Sequence, residues 1–232
     1  MRMWAATALL AAAVTVIPTA ARADVVAHWR MNEGAGASVM EDSARLGGEN
    51  DGRIVDVTTG VPGLVSGRSY TFDGAASYVE VPDSASLDPG NRPITVRATV
   101  RTVNGPMPDD SYDLVRKGFQ TTQGGDWKME IKRSGSNHSV GRLHCVFMGV
   151  MPDGRRRAVK RIAQVDIVDG RSHTVQCRRT ATSVQAVVDG RVFTNRKVTG
   201  HISNNQPVIV GAKTRGDDVL RGTLDEVIID IG

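Results

Sequence analysis

The chain has 232 residues, 40% apolar and only 4% aromatic, with 29 Lys and Arg against 25 Asp and Glu. That length suits one well-buried domain. The near balance of charge gives no reason to expect a nucleic-acid partner.

The first 23 residues read as a secretory signal rather than as part of the fold. Arg2 supplies a positive start, "WAATALLAAAVTVI" is an apolar run too short for a membrane span, and "ARA" is a small-x-small cleavage site. Cleavage before Asp24 removes Arg2 and Arg22 and no acids, which leaves 27 cations against 25 carboxylates. The expectation is a secreted, extracellular protein without a membrane span, whose domain runs from residue 24 to residue 232.

From Asp24 onward, short alternating runs recur between Gly, Asp, Asn and Pro clusters. In chain order they are "DVVAHWRM", "GRSYTFDG", "SYVEVP", "ITVRATVRT", "YDLVRKG", "WKMEIKR", "GRLHCVFMGV", "AQVDI", "HTVQCRR", "SVQAVVDG", "PVIVGA" and "TLDEVIIDI". Period-2 patterning of this kind, broken by turn residues, predicts an all-β fold, a sandwich or a barrel. One short helical turn is expected at "DSASL". Cys145 and Cys177 both fall on apolar faces of their runs. In an exported chain with two cysteines the expectation is one disulfide between them.

Catalytic patterns are scarce. "GDWKMEIK" puts Asp126 and Glu130 on one face of a strand, a weak echo of the paired carboxylates of glycosidases. The five histidines show no zinc spacing and no nucleophile elbow occurs. The reading is therefore a non-catalytic protein. "NHS" at 137–139 is a glycosylation sequon.

Binding has three candidate carriers. Trp127 follows Gly124, Gly125 and Asp126 and offers a sugar platform, with Tyr112 and Phe119 close in sequence; the competing reading makes Trp127 a core residue. "GRRRAVKR" carries Arg155, Arg156 and Arg157 and suits either a grip on an acidic glycan or a solvated hairpin tip. The third is Asp225 in the closing strand. Strict alternation puts it on one face with Val227, Ile229 and Ile231, where a carboxylate needs a base, backbone amides or a metal.

Several stretches together resemble the laminin G-like domains of the concanavalin A-like lectin/glucanase superfamily. They are "VVAHWRMNEGAGASVMEDSARLGGENDGRI", "SYTFDGAASYVEVPDSASL", "DGRSHTVQCRRTATSVQAVVDGR", "VIVGAK" and "RGTLDEVIID". The chain departs from the pattern at Ser172, where the family usually has Trp, and at Ala44-Arg45, where Gly is more common. The resemblance implies an all-β jelly-roll sandwich of two antiparallel sheets, one of them concave, with loops round that sheet that bind carbohydrate or an extracellular protein. Many members also hold a structural calcium ion. The matching positions here are Asn32 or Glu33, Asp42 and Asp225, in a region that also carries Asn50 and Asp51.

Overall fold

The computed structural model describes residues 24–44, 49–134 and 140–232. The expected secretory signal and the sequon at 137–139 lie outside the described residues.

Among the described residues sixteen strands form two eight-stranded sheets, with every pairing antiparallel. The first sheet holds β1 (Asp24–Trp29), β4 (Thr58–Pro62), β5 (Arg68–Asp73), β7 (Ile94–Arg101), β12 (Ser172–Arg179), β13 (Val184–Val188), β14 (Arg191–Asn195) and β16 (Arg221–Ile231). Its order is β14-β13-β12-β7-β16-β5-β4, and β1 also pairs with β16. The second holds β2 (Val39–Met40), β3 (Gly52–Val55), β6 (Tyr78–Val81), β8 (Ser111–Lys117), β9 (Asp126–Arg133), β10 (Gly141–Val150), β11 (Arg156–Ile162) and β15 (Val208–Val210). Its order is β11-β10-β9-β8-β15-β6-β3-β2. The expected helical turn is a 3₁₀ turn at Ala85–Leu87, capped by the Ser84 hydroxyl.

One apolar core lies between the sheets. β9 shows how the alternation builds it: Trp127, Met129 and Ile131 are buried in the core, while Asp126, Lys128, Glu130 and Lys132 alternate with them on the other face. Cys145 on β10 and Cys177 on β12 form the expected disulfide, with Cα atoms 5.2 Å apart. The two strands belong to different sheets, so the bond staples one sheet to the other through the core.

The closing strand departs from strict alternation. Against β7, Asp225 pairs with Thr99 but Ile228 pairs with Arg97, so one extra residue sits in β16. Glu226 takes a left-handed backbone, φ 52°. This bulge shifts the phase. Leu224, Val227, Ile229 and Ile231 line the core, and Asp225 is placed opposite Thr99, outside it. The bulge also marks a change of neighbour: β5 pairs with Arg221–Leu224, whereas β1 pairs with Val227–Ile231.

"AQVDI" is not a strand. Residues 163–168 cross between the sheets, with Ala163 and Ile167 fully buried, and the Asp166 carboxylate accepts from the Gly141 and Val168 amides. The edge strand β11 takes the place expected of that run.

Candidate ligand groove on the open face of the second sheet

The charged face of β9 forms the floor of a groove of about 710 Å³. β8, β10 and β11 flank it, and Val146, Met148 and Ala158 supply its apolar patches. Phe119, Gln120 and Thr121 close one end, and Lys213, Asp217 and Asp218 form a wall. The end loop comes down because Gly124 and Gly125 have φ of +83° and +94°. A Cβ there would stand 1.8 Å from the Ser203 carbonyl oxygen and 2.2 Å from that of Met148. Arg116 supports Phe119: its guanidinium lies 4.6 Å from the ring centroid and donates to the Gly118 carbonyl at 2.8 and 3.0 Å. Phe119, Arg116 and Lys213 also line an adjoining pocket of about 200 Å³, walled by Tyr78 and Ile209.

Charge is concentrated in and under this floor. Asp113 and Glu130 lie opposite each other on β8 and β9. Asp113 is fully buried and takes a 2.6 Å bond from Arg116. Burial nevertheless lifts its pKa to about 6, against the pull of Arg116 and Lys128. Glu130 is held by Lys128 at 2.7 Å, with Lys132 at 3.9 Å. Burial raises the pKa of Asp126 as well. On β10, His144 faces Glu130 in register, and burial lowers its pKa to about 4. Asp113 Oδ1, Asp126 Oδ1 and His144 Nδ1 are buried and have no hydrogen-bond partner among the described residues. Such atoms cost free energy until something bonds to them. The arrangement suits hydroxyl-rich ligands, which can both donate to the carboxylates and accept from the lysines.

The predicted ligand residues separate. Trp127 is corrected from surface platform to core: it is 1% exposed, because its parity on β9 is that of Met129 and Ile131. Tyr112 is also in the core, with its hydroxyl donating to the Gly105 carbonyl at 3.2 Å. Phe119 does line the groove. Arg156 is exposed and donates to the Gln120 carbonyl, tying β11 to the groove's end loop. Arg155 and Arg157 are exposed on and beside β11, away from the groove floor. Sequence reasoning passed over Lys128 and Lys132, although the parity of "DWKMEIK" puts every charge on one face; Lys160, which also lines the groove, lies in the basic run "GRRRAVKR".

The three predicted metal ligands have separate partners. Asp225 Oδ2 accepts from the amides of Leu64 and Val65 at 2.9 and 3.0 Å. This is the amide-capping alternative; Oδ1 stays buried without a partner, and burial raises the pKa of the group. Asn32 Oδ1 accepts from the Arg68 amide at 2.7 Å. Asp42 Oδ1 accepts from the amides of His28 and Ala44. Among the described residues no group of three or more His, Cys, Asp or Glu could hold a metal ion. A mixed oxygen set does gather near Asp42. The Val26 carbonyl, Asp42 Oδ2 and Ser86 Oγ lie 2.8, 3.4 and 3.2 Å from the Asn50 amide nitrogen. With the Asn50 amide turned over, that corner offers hard oxygens of the kind calcium takes.

A two-sheet antiparallel sandwich with a ligand-sized groove on one open face defines a concanavalin A-like jelly roll. The chain belongs to the laminin G-like family of the concanavalin A-like lectin/glucanases superfamily, whose family model matches residues 73–229. A comparison with curated proteins gives no match. Among solved structures, the chain is similar to domain 4 of AbnA, an extracellular arabinanase from Geobacillus stearothermophilus, in complex with arabinotriose. That likeness has 16% identity, a TM-score of 0.64, and covers 90% of this chain and 93% of the other. It is also similar to the binding domain of Paraclostridial Mosquitocidal Protein 1, at 16% identity and TM-score 0.60, covering 89% of this chain and 48% of that one. Mouse laminin alpha1 domains LG4-5 match at 17% identity and TM-score 0.51, covering 72% and 43%. The chain thus spans about half the length of the mosquitocidal binding domain. Among the described residues no helix is long and apolar enough to cross a membrane.

Proposed function

We propose that this chain is a secreted, non-catalytic binding module whose ligand is a carbohydrate, free or on a cell surface, held in the groove on the open face of the second sheet. The observation that carries the reading is a groove of about 710 Å³ lined by Asp126, Lys128, Glu130 and Lys132, with Asp126 Oδ1 buried and unpartnered, and with the unpartnered Asp113 Oδ1 and His144 Nδ1 on the strands that flank Glu130. Glu130 stays engaged by Lys128 and Lys132, which suits a hydrogen-bonding floor better than a reacting pair. The arabinotriose complex of AbnA domain 4 supports the same ligand class by analogy of fold. A structural calcium ion belongs to the proposal; Asp42, Asn50 and the Val26 carbonyl would hold it and tie β1 to the loop that follows.

The test is a glycan array on residues 24–232 in calcium and again in chelator, followed by titration calorimetry of the best hit. Binding that is weakened by Lys128→Ala and Glu130→Gln is expected. A blank array under both conditions would overturn the reading and favour a protein partner.

A further inference from the structure

β11 and β14 are the free edges of the two sheets on one side of the sandwich. Asn195 joins them by donating to the Lys160 carbonyl at 2.9 Å. Phe193 lies between them, packed against the core. Two guanidiniums share its ring: Arg191 at 5.1 Å and Arg161 at 5.9 Å from the centroid. Arg161 Nε is buried and has no hydrogen-bond partner among the described residues. Arg155, Arg157, Lys160, Arg196 and Lys197 are exposed on or next to the same two strands.

No carboxylate answers this charge. Among the described residues none of these seven cations takes part in a salt bridge. The acids nearest in sequence are used elsewhere: Asp153 accepts from the Arg155 amide, and Asp189 bonds His173 at 2.7 Å. Two guanidiniums on one ring repel each other; the ring offsets part of this, and an anion between them would offset the rest. Cations on edge strands also discourage strand pairing. That role alone does not call for two arginines stacked on one ring with a buried, unused N–H.

We propose that this seam is an anion-binding site, built by Arg161 and Arg191 on Phe193, that takes the carboxylate or sulfate groups of an acidic polysaccharide. The proposal rests on the carbohydrate reading and narrows it to acidic glycans. Lys160 links the two sites: it lines the groove while its backbone is fixed to β14 in the seam. A linear polymer lying in the groove and crossing the narrow edge of β11 meets the seam. Arginine forks suit planar or tetrahedral oxyanions. With 27 cations against 25 acids after residue 23, the chain has no general attraction for polyanions, so the seam acts locally.

The experiment measures binding of residues 24–232 to heparin, polygalacturonate and neutral arabinan, with wild type, Arg161→Gln/Arg191→Gln and Glu130→Gln, each checked by circular dichroism. The expected result is binding of heparin or polygalacturonate that the double arginine variant weakens roughly tenfold at low salt. Wild-type strength in that folded variant would overturn the seam and leave its cations as guards of the strand edges. Arabinan binding with no acidic-glycan binding would also overturn it and leave the carbohydrate reading standing. Acidic-glycan binding that needs the arginines but not Glu130 would keep the seam and remove the groove. Equal binding to phosphatidylglycerol vesicles or duplex DNA would contradict a polysaccharide partner.

Discussion

Cys145 on β10 of one sheet and Cys177 on β12 of the other are joined across the shared core, with both side chains buried in it. The bond closes a loop of 32 residues in sequence, which the chain-entropy picture values at about 3–4 kcal/mol. Replacing both cysteines by serine should lower the melting temperature by roughly 10 °C in calorimetry. An unchanged melting temperature would mean that core packing alone sets the sheet spacing.

Asp225 caps the loop at Leu64 and Val65 from beneath. Asp225→Ala removes the acceptor for two amides and should destabilise by about 1–3 kcal/mol. The loss should be the same in calcium and in chelator, because the proposed cation corner is at Asp42 and Asn50. Denaturant melts under both conditions check this. If chelator erased the difference between variant and wild type, Asp225 would be a metal ligand after all.

His173 sits between Asp169 at 2.9 Å and Asp189 at 2.7 Å. Burial disfavours its charged form, but the bonds its ring N–H groups donate to Asp189 and Asp169 outweigh this and raise its pKa. A raised folded pKa contributes stability that is full below the unfolded value of about 6.5 and is lost as pH rises through the folded value. His173→Gln should therefore cost more stability at pH 5.5 than at pH 9. Equal losses at the two pH values would contradict a charged His173.

Much of the fold was legible because alternation survives burial on one face. β5, β6, β7, β9, β10, β12 and β13 carry it. β2 is two residues long, and β14 is an edge with the pattern "RVFTN", so neither leaves a period to read. The bulge at Glu226 was not legible, since nothing in "LDEVI" announces a left-handed glutamate. That single residue moved Asp225 out of the core and undid the expected face. Trp127 was legible: its neighbours Met129 and Ile131 share its parity, but the adjacent glycines suggested a surface turn. The groove was only half legible, because alternation gives the charged face of β9 while its pairing with Asp113 and His144 depends on register between strands.

The most direct measurement is chemical-shift mapping of the best glycan hit on isotope-labelled protein. The account predicts the largest changes at the amides of Lys128, Glu130, Val146 and Ala158, across β9, β10 and β11. Changes confined to the loops round Asp42 and Asn50, with the open face silent, would contradict it.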